Sequence, residues 1–326
     1  MELIANPDPK QMIHLNNEII DKPLSSFIEA NTKAVSLEHL KNDCIIPVFS
    51  KDNESTISHY QFVDTLYRQV QSRYPDYIIK EPEIRVSHVI KGRIPSAIGK
   101  PAKELQEHEK TIYYERCAFL IHILQMKKTI NGNELSLSIG GVRSLSQENL
   151  YSKKSLEKFK VFIGFKNKVC TNLCVSTDGV ADDIRIGSIN ELEQHTDQLF
   201  LNYNEESHLE NMERMGRFKL SEKQFAHFIG KARMYQHLDK REKQEVFPFT
   251  LNDSQINTVV KDYYNDRYFK RDKDGSINLW KLYNLFTGAN KSSYIDNLLD
   301  RNVNAYELVK ELGISIENNS RNWFLQ

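Results

Sequence analysis

The sequence predicts an α+β protein, with an antiparallel sheet in a strand-rich N-terminal half and helices in the C-terminal half. Before residue 187, apolar residues alternate with polar ones or lie in β-branched and aromatic runs, as in strands. After residue 188 they recur at helical spacing, and two stretches begin with capping-box residues. We therefore expect an irregular segment 1–40, an α+β sheet domain 41–187, and a mainly helical region 188–326 that packs on it. Within that region, residues 188–312 should have no sheet of their own.

The composition indicates a protein with a substantial core and no overall charge. Of the 326 residues, 40% are hydrophobic and 27% are charged, and the formal net charge is zero. A neutral chain has no global attraction for nucleic acid or anionic membranes, although a local patch is still allowed. No apolar stretch approaches the roughly 18 residues of a membrane span, and the first thirty residues lack the features of a secretory signal. We expect a cytoplasmic protein that does not associate with membranes.

The clearest hairpin lies in 111–143. A long aromatic and β-branched stretch precedes Asn131-Gly132, which is a favoured type I′ turn pair because both residues tolerate positive φ. The returning strand alternates apolar and polar residues, and Gly140-Gly141 predicts its end or a bulge. The residues that we expect to be buried in this hairpin are Phe119, Ile121 and Leu137.

A second strand, 158–168, alternates apolar and cationic residues. Its apolar set predicts one buried face, and the other face carries lysines around an aromatic residue and a glycine. Such a row can track phosphates and stack a base, which favours single-stranded nucleic acid as a ligand. The alternative is a solvated sheet face or an edge strand whose lysines deter aggregation. The candidate nucleic-acid-binding residues are Lys158, Lys160, Phe162, Lys166 and Lys168.

A dense group of catalysis-capable side chains precedes the first long helix. It consists of Lys51, Asp52, Asn53, Glu54 and His59. One interpretation is the site of a hydrolase or nuclease, since loops carry sites more often than cores do. The other interpretation is a solvated connection between a strand and a helix, where polar side chains satisfy local backbone groups.

Neither of two motifs that suggest metal ions meets the requirements of a site. Cys170 and Cys174 lack the second pair of ligands that zinc needs. The stretch from Asp272 to Asp274 resembles part of a calcium loop, but lysines occupy its first and twelfth positions. We expect reduced, metal-free thiols, no bound calcium and no cofactor. The sequence also contains no phosphate loop, HExxH or GxSxG motif, which favours a non-enzymatic protein.

Three segments carry a family resemblance. They are 46–54 (IPVFSKDNE) with 57–59 (ISH), 165–173 (FKNKVCTNL), and 279–287 (LWKLYNLFT) with 301–305 (RNVNA). Together they resemble a family of uncharacterised proteins from Bacteroidetes conjugative elements, distantly similar to the phage/plasmid-like proteins of unknown function. The similarity extends from about residue 40 to 310. It implies a cytoplasmic protein of a mobile genetic element and names no chemistry.

Three functions remain open at this point. The first is a non-enzymatic protein that binds single-stranded nucleic acid through the lysine face of 158–168. The second is a protein-binding module, or an inhibitor, that acts on a host factor such as a component of a defence system. The third is a hydrolase or nuclease centred on 51–59.

Overall fold

The chain folds around an antiparallel sheet that helices cover on both faces. The structure is a computed structural model, and it describes residues 26–46, 56–148 and 156–326. In that part of the chain the sheet has seven strands, and the fold class is α+β, as the sequence predicts. The strands are β1 (Lys33–Val35), β2 (Glu83–Arg93), β3 (Lys110–Ile130), β4 (Asn133–Ser144), β5 (Glu157–Asn167), β6 (Leu173–Cys174) and β7 (Val180–Ile186). Their order in the sheet is β1-β2-β3-β4-β5-β6, and β7 also pairs with β5.

Helices dominate the C-terminal half, and two further helices of the described chain lie between β1 and β2 in the sequence. A short ribbon of β8 (Lys219–Leu220) and β9 (Ile277–Asn278) interrupts the helical half, so the expectation that this half has no sheet of its own was wrong. The helices are α1 (Leu37–Asn42), α2 (His59–Arg73), α3 (Ile189–Asn202), α4 (Glu205–Met215), α5 (Glu222–Tyr235), α6 (Lys240–Gln244), α7 (Asp253–Asn265), α8 (Leu279–Asn290) and α9 (Ile295–Glu317).

The predicted hairpin is confirmed. β3 and β4 pair from Ile130 and Asn133 outward, and Asn131 and Gly132 adopt φ angles of +48° and +79° at the turn. β4 does not end at Gly140-Gly141 but continues to Ser144. The two glycines are accommodated inside the strand because a side chain at either position would collide with the ring of Phe162 or Phe62. The three residues that were expected to be buried, Phe119, Ile121 and Leu137, are fully buried.

Two clusters of apolar residues bury the two faces of the sheet. The larger cluster joins one face to α2, α3 and the helical half. The smaller cluster covers the opposite face, where the segment after Ser26 and the beginning of α9 lie on the sheet. Its members are Phe27, Ile28, Ala118, Leu120, Val142, Phe162, Leu173, Val175, Ile295, Leu298 and Leu299. The sheet is therefore the middle layer of three, so neither face of its central strands is left to solvent.

Candidate functional site

Strand β5 is buried on both faces. Phe159 and Val161 lie in the larger apolar cluster, whereas Phe162 lies in the smaller one and is only 1% exposed. The expectation of an outward cationic face was wrong, because the beginning of α9 packs on that face through Leu298 and Leu299. Phe162 therefore has no surface on which a base could stack.

Carboxylates of the same chain neutralise the four candidate lysines. Lys160 is itself buried, and its Nζ lies 2.6 Å from Asp300 Oδ1 at the beginning of α9. Each of the four lysines makes such a charge-assisted contact, so its ammonium group is already bound to a carboxylate where a phosphate would have to bind. The other pairs are Lys158 with Asp183 (3.2 Å), Lys166 with Glu83 (2.9 Å) and Lys168 with Glu134.

Lys166 belongs to a polar cluster at one end of this sheet face. Its Nζ lies 3.3 Å from Nε2 of His122, whose Nδ1 lies 3.2 Å from Oγ of Ser138. Burial favours a higher pKa for Glu83, but the hydrogen bonds and charges of His122 and Lys166 outweigh burial and lower that pKa to about 2. Ser26 Oγ also donates to Glu83. The cluster thus holds the chain at Ser26 against the sheet.

The Glu83, His122 and Ser138 side chains have the residue types of a hydrolase triad. Ser138 is 1% exposed, and its hydroxyl donates to the carbonyl of Ser136. A nucleophile has to reach the substrate carbonyl, and this hydroxyl lies inside the sheet layer. The cluster is therefore built to stabilise the interior.

His59 is an interior residue at the beginning of α2. Its Nε2 donates to the carbonyl of Tyr114 at 2.7 Å, and its ring stacks on Tyr113. Burial and then the charge of Arg143 lower the pKa of His59 to about 3, so the imidazole is neutral. Its position gives it no access to a substrate in solution. The other candidates of this group, Lys51, Asp52, Asn53 and Glu54, lie outside the described residues.

In the two motifs considered for metal ions, the carboxylate of Asp272 pairs with lysines and the cysteines are free thiols. Asp272 holds the ammonium groups of Lys281 (2.6 Å) and Lys219 (3.0 Å), so intrinsic cations stand at the carboxylate that calcium would use. All four cysteines are free thiols, and Cys174 is fully buried. Within 26–46, 56–148 and 156–326, no three His, Cys, Asp or Glu residues are grouped as metal ligands.

A wide exposed groove lies at the end of the β2–β3 hairpin. Its volume is about 780 Å³. Two aliphatic side chains of its lining are exposed, Ile98 (61%) and Ile112 (42%). Val89, which precedes the lining residue Ile90 in β2, is also exposed (49%). The groove is lined by residues 90–93 of β2, residues 110–112 of β3, and Ile98, Gly99, Ala102, Leu105 and Glu107 of the connection 94–109.

Cations surround this groove. The ammonium groups of Lys100 and Lys110 are paired with Glu109 and Glu107. In the described parts of the chain, no carboxylate lies within ion-pair distance of Lys91, Arg93 or Lys103, although Arg93 donates a hydrogen bond to the carbonyl of Lys100. The groove therefore offers apolar surface together with an excess of positive charge.

A second unusual surface lies at the C-terminal end of α7, from Tyr264 to Arg271. Tyr264 and Tyr268 are both nearly half exposed. The guanidinium of Arg271 lies 4.6 Å from the ring centroid of Tyr264, and that of Arg267 lies 5.4 Å from the ring centroid of Tyr268. Arg271 is held by Glu222 at 2.9 Å. Paired aromatic rings and guanidinium groups are suited to planar or anionic ligands.

The comparison with family models covers almost the whole chain. The matching model is described as "Domain of unknown function, B. Theta Gene description (DUF3871)", and it spans residues 10–325. The chain belongs to this family. Comparison with curated proteins gives no match, and comparison with solved structures gives none either. In the described residues, every helix is too short or too polar to cross a lipid bilayer.

For this family member, sequence reasoning missed both exposed surfaces. The alternation around Val89 predicts a strand but not which of its faces is left uncovered. The only signal for the second surface is local, namely Tyr264, Arg267, Tyr268 and Arg271 within one short polar segment. The confirmed part of the resemblance is membership of a family of unknown function.

Proposed function

We propose that this protein is a non-enzymatic protein-binding module whose site is the groove between β2, β3 and the connection 94–109. The observation that carries the proposal is one large concavity whose lining exposes two aliphatic side chains, Ile98 and Ile112, with a third, Val89, exposed next to the lining residue Ile90. A grouped apolar surface rimmed by polar residues is typical of a protein interaction site. Covering it removes apolar area from water, which stabilises a complex by about 25 cal/mol per Å².

The charges of the groove and the family resemblance define the class of partner. Lys91, Arg93 and Lys103 supply positive charge that no carboxylate of the described residues neutralises, which favours an acidic protein surface. The resemblance to proteins of conjugative elements adds the context: a cytoplasmic protein of a mobile genetic element that acts on a factor of the host, for example a component of a defence system.

The test is an affinity purification from a host lysate, with and without nuclease. The wild-type protein is compared with Ile112→Glu, which introduces a charge into the groove, and with Leu201→Glu. Leu201 is the matched control because it is exposed on α3, away from the groove. We expect the wild-type protein to capture a partner whose recovered amount is unchanged by nuclease treatment and unchanged with Leu201→Glu. With Ile112→Glu the recovered amount should fall about tenfold or more.

Two outcomes would contradict the protein-binding proposal. One is that the Ile112→Glu variant, shown to be folded by circular dichroism, captures the same proteins as the wild type. The other is that all captured proteins disappear after nuclease treatment, because they were then held through nucleic acid.

A second candidate function is supported by the surface at the C-terminal end of α7. Tyr264 and Tyr268 are exposed rings on which bases could stack, and Arg267 and Lys270 are exposed cations beside them. Base–aromatic stacking contributes roughly 1–3 kcal/mol per base. We propose as this second function that single-stranded nucleic acid binds here and not at the lysines of β5.

The test is fluorescence anisotropy with labelled single-stranded oligonucleotides at two salt concentrations. We expect Tyr264→Ala to weaken binding by about tenfold and Arg267→Ala to reduce the salt slope by about 1. Tyr77→Ala is the control, since Tyr77 is similarly exposed before β2. No binding at low salt, or equal loss in the control, would refute this second candidate.

A further inference from the structure

We infer that the partner binds as an additional β-strand along the outer edge of β2, from Val89 to Arg93. The incoming segment is extended and carries acidic side chains that alternate with apolar ones. This inference rests on the proposed protein-binding function and specifies its mode. Strand addition supplies affinity through main-chain hydrogen bonds and specificity through alternate side chains.

Among the residues that the structure describes, none pairs with the outer edge of β2 over this stretch. β1 pairs with β2 only from Ile84 to Val86. The chain before β1 turns away at Asn31, which has a φ of +21°, and the amides of Glu29 and Ala30 bond to the carbonyl of Lys291 after α8. As a result, none of the described residues continues the sheet beside Val89 to Arg93.

The backbone groups that a new strand needs can be identified from the ladder with β3. Ile94 donates its amide to the carbonyl of Glu109, and Ile90 is paired with Tyr113 in the same register. Because amide directions alternate along a strand, the amides of Val89, Lys91 and Arg93 point away from β3. An exposed row of this kind is a ready template for another strand.

The side chains beside this row determine the chemistry of the occupant. Lys91 lies directly across from Ile112 of β3, and Val89 and Arg93 are its neighbours on the same face at the two-residue spacing of a strand. A strand added beside them places its own alternate residues next to this face. Acidic residues beside Lys91 and Arg93, and an apolar residue beside Val89, therefore complement the edge.

The experiment begins with linear peptides selected from a random phage-displayed library against the wild-type protein. Amide hydrogen exchange is then followed by NMR, without and with a selected peptide. In the free protein we expect the amides of Ile90 and Gly92 to be protected and those of Val89, Lys91 and Arg93 to exchange fast. The selected peptide should contain alternating acidic and apolar residues and should protect the latter three amides.

A pair of variants at one position separates backbone pairing from side-chain contact. Lys91→Pro removes the outward amide but leaves the ladder with β3, because proline is tolerated on an edge strand. Lys91→Thr removes the same charge and keeps the amide. We expect Lys91→Pro to bind the selected peptide at least about tenfold more weakly than Lys91→Thr does.

The outcomes distinguish the mode of binding from the proposed function. If the peptide binds in an Ile112-dependent manner without protecting Val89, Lys91 and Arg93, and the two Lys91 variants bind it equally, strand addition is overturned and the groove remains a binding site. If no library peptide and no host protein binds in an Ile112-dependent manner, the proposed function fails and the inference fails with it.

Discussion

At the scale of single residues, the environment of a lysine matters more than its place in a pattern. Lys158 and Lys160 occupy equivalent positions in the alternation of β5, yet Lys160 is buried against Asp300 whereas Lys158 is partly exposed beside Asp183. A buried partner charge is costly to leave unpaired, and an exposed pair contributes little.

We predict that Lys160→Glu lowers the free energy of unfolding by roughly 2–4 kcal/mol, because it places a second carboxylate against Asp300 in a nearly buried site. Lys158→Glu, the control on the same strand, should cost less than about 1 kcal/mol. Urea denaturation measures both. The charge exchange Lys160→Glu with Asp300→Lys should restore part of the loss, and equal effects of the two single variants would contradict the prediction.

His59 makes the stability of the protein depend on pH. Burial, and then Arg143, lower the pKa of His59 in the folded state to about 3, whereas an unfolded histidine titrates near about 6.5. Between these values the unfolded state binds more protons, so the stabilisation is fully present above about pH 6.5 and is lost as the pH falls towards 3. Burial also lowers the pKa of His208, to about 4, which adds a loss of the same sign.

We predict that the free energy of unfolding falls as the pH is lowered from about 6.5 to 4, by up to about 1.4 kcal/mol per pH unit for each of these two histidines. His59→Gln keeps a donor for the carbonyl of Tyr114 and should flatten the pH dependence. His195→Gln, on the exposed side of α3, should not. Denaturant titrations at several pH values measure the slope, and an unchanged slope in His59→Gln would refute the assignment.

At the scale of elements, the β3–β4 turn also fixes the end of α4. The Asn131 side chain donates to the carbonyl of Met212 at 2.8 Å, and it lies directly against Gly216 at the end of that helix. A Cβ at Gly216 would overlap Oδ1 of Asn131. The turn residue therefore serves the hairpin through its φ angle and the helix through its side chain.

We predict that Gly216→Ala destabilises the protein by roughly 1–3 kcal/mol, because the new methyl group collides with Asn131. Asn131→Gly keeps the positive φ of the turn and removes the obstacle. In the double variant the two losses should therefore be less than additive, by about 1 kcal/mol or more. A double-mutant cycle in urea measures this coupling, and strict additivity would show that the contact is not the cause.

At the scale of the whole molecule, polar contacts join the sheet to the helical half. Oδ1 of Asn284, on α8, accepts a hydrogen bond from Asn167 of β5 at 3.1 Å, and its main-chain carbonyl accepts one from Asn172 at 2.8 Å. These groups are buried, so a lost partner leaves a costly unsatisfied donor. The larger apolar cluster also contains residues of both halves.

We predict that Asn284→Ala lowers the free energy of unfolding by about 2 kcal/mol and does so for both halves together. Fluorescence of Trp280 and Trp323 reports on the helical half, and hydrogen exchange of β5 amides reports on the sheet. Asn265→Ala, on the exposed side of α7, is the control. A loss that is seen by fluorescence but not by exchange of β5 would show that the halves unfold separately.

The sequence by itself determined the features that depend on neighbouring residues. Asn131-Gly132 predicted the hairpin turn because positive φ is a property of those two residues. One of the two capping boxes after residue 188, Ser221 with Gln224, predicted the beginning of α5, since a capping box lies within one helical turn. The change from strand to helix spacing likewise predicted the α+β division of the chain.

Only the tertiary structure decided which surfaces are covered. The alternation of β5 predicted a solvated cationic face, but Asp300 and Leu298 reach that face from a helix about 140 residues further along the chain. The same reason applies to the outer edge of β2 from Val89 to Arg93, which no described residue pairs with because β1 ends its pairing at Val86. Burial depends on segments that are distant in sequence, so a local pattern can predict a strand but not what lies on its faces or beside its edge.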